Sequence, residues 1–139
     1  MKLISYVCLV LIFATACSKK NDVVVLDAAA ITGIYDVSRL TISGTGTDDG
    51  EFNYPIKSGP TTRTARLDVS KLTATTVNVK LTISTTGTGD VSQDLGVAEL
   101  RGTDLYQGGG KAGTADGSTL TIDVTDISKA RYVILSKKR

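Results

Sequence analysis

The 139-residue sequence predicts an all-β fold, an eight-stranded antiparallel up-and-down barrel, with a two-sheet β-sandwich as the alternative. Three observations point there. Threonine occurs 20 times and valine and isoleucine are abundant, and β-branched side chains suit a pleated, half-buried surface. Apolar residues recur at every second position, the period of a strand with one buried face, while no stretch repeats them at helical spacing over three turns. Short turn signals built on glycine, aspartate and proline separate these segments. The length allows one domain. The 16 Lys+Arg against 14 Asp+Glu lack the basic stripe of a nucleic-acid binder, so no nucleic-acid partner is expected.

The first element lies outside the barrel. Lys2 precedes eleven largely apolar residues, Leu3–Phe13, and the small residues Ala14-Thr15-Ala16 follow, the three-part layout of a secretory signal. A spanning helix takes roughly 20 apolar residues, so cleavage is expected rather than permanent anchoring. Ala14-Thr15-Ala16-Cys17 resembles the lipobox of bacterial lipoproteins, with Ala14 where leucine is usual. The resemblance implies cutting before Cys17 and acylation of its sulfur and amino group with chains of the palmitate kind. Several such chains, at about 0.8 kcal/mol per buried methylene, make attachment to a membrane effectively permanent. Cys8 leaves with the signal, so the mature chain holds Cys17 alone and no intramolecular disulfide. Ser18, where an aspartate would resemble an inner-membrane retention signal, favours the bacterial outer membrane, on its periplasmic or cell-surface face. The division is a signal peptide over 1–16, the lipidated cysteine and tether over 17–30, and a barrel domain over 31–139. Within the tether, Asp27 is placed to cap one helical turn over the alanines that follow.

Strands are expected near 31–43, 51–58, 62–70, 75–85, 91–100, 103–108, 118–125 and 130–137. The clearest is 75–85, where Val77, Val79, Leu81 and Ile83 alternate with Asn78, Lys80, Thr82 and Ser84; Leu120, Ile122 and Val124 repeat the pattern. Inward positions are Val37, Leu40, Leu67, Val79, Leu81, Val97, Ile122 and Tyr132. Short connections make sequence neighbours pair antiparallel. Closure into a barrel would remove the exposed edges that a Thr- and Val-rich sheet offers to aggregation.

Gly33-Ile34-Tyr35, opening the first strand, resembles the Gly-x-Trp that opens the first strand of lipocalins and related calycins, with tyrosine for tryptophan. Arg131, in the last strand, resembles the family's arginine that stacks over that ring. The resemblance implies that Gly33, Tyr35 and Arg131 close one end of the barrel, a cation–π contact of this kind contributing about 0.5–2 kcal/mol. The sequence departs from the family in lacking a disulfide and the helix that lipocalins append after the barrel.

An eight-stranded barrel is either filled by side chains or holds one small ligand. The candidate ligand-binding residues are Val37, Phe52, Tyr54, Leu81 and Tyr132, with Phe52 and Tyr54 on one strand face at a mouth. Chemistry is harder to find. There is no histidine, so a serine- or cysteine-based triad has no obvious base. The only glutamates, Glu51 and Glu99, fall on separate strands. Asp48 and Asp49, and Asp116 with Asp123 and Asp126, lack the spacing of a calcium loop and read as turn residues. Gly108–Thr114 fails the spacing of a phosphate loop and reads as a flexible barrel loop. Lys137-Lys138-Arg139 reads as a solubilising tail. No catalytic residue, metal or cofactor is expected. The sequence therefore reads as a monomeric, non-enzymatic lipoprotein with a lipocalin-like barrel, its partners a membrane and a small apolar ligand. The alternatives are a surface β-sandwich that binds a glycan or protein, and a carboxylate- or tyrosine-based hydrolase.

Overall fold

A computed structural model of the chain describes residues 26–44, 46, 49–125 and 129–139. The signal peptide, Cys17, most of the tether, Asp48 and Asp126 lie outside the described residues. One helical turn, α1 (Ala28–Ile31), precedes ten strands: β1 (Gly33–Ser43), β2 (Gly50–Asn53), β3 (Ile56–Ser58), β4 (Thr61–Lys71), β5 (Thr76–Thr85), β6 (Gly89–Arg101), β7 (Asp104–Gln107), β8 (Gly110–Ala115), β9 (Thr119–Thr125) and β10 (Arg131–Lys138).

Eight of these, β1 and β4 to β10, are the staves of a closed antiparallel up-and-down barrel. Consecutive staves pair from β4 to β10, β10 pairs with β1 from Tyr35↔Lys138 to Ser43↔Arg131, and β1 returns to β4 from Gly33↔Val69 to Asp36↔Arg66. Pairing of first and last strands removes the sandwich alternative. The expected strand over 51–58 is two short strands instead. Proline has no N–H to give a ladder, and at Tyr54–Pro55, a cis bond, the segment turns away from one neighbour towards another. β2 stays with the far half of β1, and β3 crosses to the near half of β4. β1 and β4 are thus paired at one end and wedged apart at the other.

Most of Gly108–Thr114, expected to be a flexible loop, belongs instead to the stave β8 (Gly110–Ala115). Its buried residues Ala112, Gly113 and Ala115 are small, so no strong apolar alternation marks it. At Gly113 a Cβ would run into the Thr121 carbonyl on β9, so only glycine permits this backbone approach.

The interior is apolar and nearly continuous, running through Val37, Leu40, Leu67, Val79, Leu81 and Ile122 among others. Val97 is the exception to the expected inward set. A bulge in β6 between the partners of Val79 and Lys80 shifts the alternation, and Val97 stands 50% exposed on the outside.

The two ends differ. At one, Asp27 caps α1, its carboxylate accepting from the Ala29 N–H at 2.6 Å, and the turn packs across the barrel with Ala28 and Ile31 wholly buried. Packed structure therefore begins before residue 31. At the other, the mouth, Ile42, Phe52, Ile83, Leu95, Val124 and Tyr132 lie against the core but keep part of their surface in water.

Candidate functional site

At the closed end the cation over Tyr35 is Lys138, not Arg131. The β1–β10 register sets Tyr35 beside Lys138 and carries Arg131 to the mouth end, opposite Ser43. Lys138 Nζ lies 5.8 Å from the Tyr35 ring centroid and donates to the Ala30 carbonyl at 2.9 Å. Gly33 leaves room for this, since a Cβ there would stand 3.0 Å from Lys138 Cε. Tyr35 is fully buried and its hydroxyl donates to the Ile31 carbonyl at 2.8 Å. Burial, with the Asp116 charge second, holds its phenol above the ordinary value. Arg131 instead makes a two-pronged pair with Asp123 on the exposed wall, at 2.8 and 2.6 Å. Of Gly33, Tyr35 and Arg131, the structure brings the first two together and leaves the third out. The supposed solubilising tail is built into the fold: Lys138 covers the ring, and Arg139 pairs with Asp36 through two bonds of 3.1 and 2.8 Å.

The five candidate ligand-binding residues divide among three places. Leu81 is 6% exposed and belongs to the packed interior. A void bounded by Val79, Ala98 and Ile122 measures about 10 Å³, room for about one water. Tyr132 lines a groove of about 270 Å³ at the mouth with Leu95, Gln107 and Val124. Gln107 shapes that groove by donating its amide to the Leu95 carbonyl at 2.7 Å, which holds the β6 bulge. Phe52 is half-buried at the rim.

Val37 and Tyr54 meet elsewhere, in a cleft of about 450 Å³ in the barrel wall. It opens where β1 and β4 part, just past their last pair, Asp36↔Arg66. Val37, Tyr54, Pro55 and Ala65 give it an apolar wall; Arg66, Lys137 and Arg139 stand on its border with one carboxylate, Asp36. The Tyr54 corner is anchored by its N–H, which donates to the Ser38 carbonyl at 2.9 Å, at the point where β1 bulges between Val37 and Arg39. Val37 and Tyr54 are thus neighbours in a wall that the sequence alone does not mark. Pro55 inside an apparent strand was the available signal, since proline marks where a ladder ends.

The other singled-out residues are placed as structural parts. Asp49 accepts from the N–H groups of Gly44 and Gly46 at 3.0 and 3.2 Å. Asp116 accepts from Ser118 and Thr119 in the β8–β9 turn, and these bonds, the Thr119 N–H foremost, hold its carboxyl far below the ordinary range. Glu51 is on β2 and 3.9 Å from Arg39, whereas Glu99 is on β6 and 2.7 Å from Arg101. Each glutamate therefore has its own cation.

No protein-family model matches the chain, and no curated protein matches it. Among solved structures it is similar to a redesigned β-barrel, at 14% identity over 81% of this chain and 94% of the other, with a TM-score of 0.51. A second redesigned β-barrel, solved bound to the small molecule DFHBI, aligns at 14% identity over 80% and 97%, with a TM-score of 0.49. At such identity the first likeness establishes the fold alone, and the second is too distant to add to it.

Proposed function

We propose that this protein is a lipid-anchored lipoprotein of a bacterial outer membrane whose lipocalin-like barrel holds a small apolar molecule and performs no catalysis. One observation carries the binding half of this reading: the apolar interior is finished at the α1 end and left unfinished at the mouth and in the side cleft. Half-wet apolar side chains around a concave surface forgo part of the stabilisation that full burial supplies, about 25 cal/mol per Å². A small apolar guest recovers it. Mouths of β-barrels are recurrent ligand positions. The anchoring half rests on the sequence, on the leader over 1–16 and the small residues before Cys17.

One experiment tests both halves. The chain is extracted from its native membrane in mild detergent and weighed intact under native and denaturing conditions. The denatured mass is expected to start at Cys17 and to carry acyl chains, because a thioether lipid survives unfolding. The native mass is expected to exceed it by a guest released on unfolding. A denatured mass without acyl chains overturns the anchor, and equal native and denatured masses overturn the guest.

A further inference from the structure

We propose that the guest is held in the side cleft between β1 and β4 rather than at the mouth, and that it is a small organic anion with a flat apolar body. This rests on the reading of the barrel as a binding protein and adds the site and the ligand class. The cleft has two chemically distinct borders. Val37, Ala65 and the Tyr54–Pro55 corner present an apolar surface, and the rings of Tyr54 and Pro55 suit a flat partner. Its volume, about 450 Å³, lies within the range of small-molecule sites. The mouth groove is smaller, and Gln93, Asp94, Thr125 and Gln107 border it, with no cation among them.

The polar border of the cleft selects the charge. Arg66, Lys137 and Arg139 stand there with Asp36, and Asp68 and Asp90 pair with Arg66 beside it, so the charges nearly balance and two of the three cations are already engaged. Arg139 is held by Asp36. Arg66 is held by Asp68 at 3.3 Å and Asp90 at 3.6 Å, and Asp68 is itself fixed by the buried Thr82 hydroxyl at 3.1 Å. These bonds leave Arg66 and Arg139 with carboxylate partners of their own. Lys137 has no carboxylate within ion-pair distance among the described residues, although its backbone partner is Asp36. It therefore remains available to an acid group on a guest whose body lies against Tyr54 and Pro55. A charge-assisted bond from an ammonium to a carboxylate is the contact this geometry offers.

The test compares 4-phenylbutyrate with 4-phenyl-1-butanol, which has the same body and no charge. Each is titrated into the methyl-labelled full chain in detergent micelles and followed by NMR. The acid is expected to move the Val37 and Ala65 methyl resonances and to bind about five-fold tighter than the alcohol, the size of one part-exposed ion pair. Lys137→Gln, a surface change that leaves the unfolding midpoint where it was, is expected to erase that preference by weakening the acid alone. Equal binding of acid and alcohol to the unaltered protein overturns the anionic ligand class while leaving an apolar-binding barrel in place. Shifts at Leu95 and Val124 in place of Val37 and Ala65 overturn the side cleft as the site in the same way. Binding of neither probe overturns the proposal, and the native-mass comparison then decides separately whether the barrel holds any guest.

Discussion

The closed end and the mouth are built from the same staves, yet they settle their apolar surface differently. At the closed end Ile31, Tyr35, Leu67, Val77, Leu105 and Leu120 are at most 1% exposed. A short helix covers them, a phenol hydroxyl satisfies one of its carbonyls and a lysine another. At the mouth, side chains of similar size, such as Ile42, Ile83 and Val124, remain half-wet. The difference teaches where the stability of such a barrel resides. Full burial with satisfied polar groups supplies the folding free energy, and the partly covered surface at the mouth contributes less of it.

The largest expected effect tests that division directly. Ile31→Ala removes a wholly buried side chain from under the barrel and should cost about 2–5 kcal/mol, the range for truncation in a packed site. Phe52→Ala at the rim should cost about 1 kcal/mol, since part of the ring already touches water. Urea unfolding of both variants measures the gap. Equal losses would mean that the mouth is as much core as the closed end and would break the comparison.

The second effect sharpens it at one atom. Tyr35→Phe deletes the bond to the Ile31 carbonyl and should cost about 0.5–1.5 kcal/mol at neutral pH. The sign of the pH dependence follows from burial. The folded protein keeps the Tyr35 proton to higher pH than the unfolded chain, whose phenol titrates near its ordinary value of 10.0. Wild-type stability should therefore fall as pH rises through that value towards the raised folded one. The phenylalanine variant has no such proton to lose, so its urea midpoint should decline less between neutral pH and pH about 11. Parallel declines would show that the phenol is not the group responsible.

These two ends were unequally legible in the sequence. Val77, Val79, Leu81 and Ile83 announce β5 because a strand with one wet face writes its burial as alternation. The closing aromatic was legible at Gly33-Ile34-Tyr35, and Asp27 as a cap. Its cation was not, because composition names the candidates on β10 and only register chooses between them. Arg131 and Lys138 are at opposite ends of one strand, and a ladder with a bulge between Val37 and Arg39 decides which meets the ring. β8 escaped notice because close backbone approach at Gly113 requires small residues, which carry no hydrophobic signal. The side cleft escaped for a different reason. It exists only where two strands distant in sequence part, so Val37 and Tyr54 could be suspected singly and not as neighbours.

A third prediction separates the two basic residues. Lys138→Met removes the charge over Tyr35 and the bond to Ala30 and should lower stability by about 0.5–1 kcal/mol. Arg131→Gln breaks only a pair in which both side chains are about half exposed, and exposed pairs contribute little. Its thermal midpoint should be indistinguishable from the parent's. The reverse order of effects would restore Arg131 as the residue that closes the barrel.

The smallest effect concerns the β8–β9 turn at the closed end, where Asp116 accepts from two backbone N–H groups and two hydroxyls. These bonds favour the charged carboxylate, so the folded pKa is depressed below the ordinary 3.8. Such a group contributes stability that is fully present above the unfolded value and fades as pH falls through the folded one. Asp116→Asn keeps a side-chain oxygen for the Ser118 and Thr119 amides but gives up the charge that strengthens them. The variant should therefore be slightly less stable than the parent at pH about 7, and the gap should close as acid protonates the parent's carboxylate. Because the turn is exposed, solvent screens the charge and the effect is a small displacement of the urea midpoint. A gap that widened in acid would mean that the carboxylate is repelled where it sits, and would remove this turn from the contacts that stabilise the closed end.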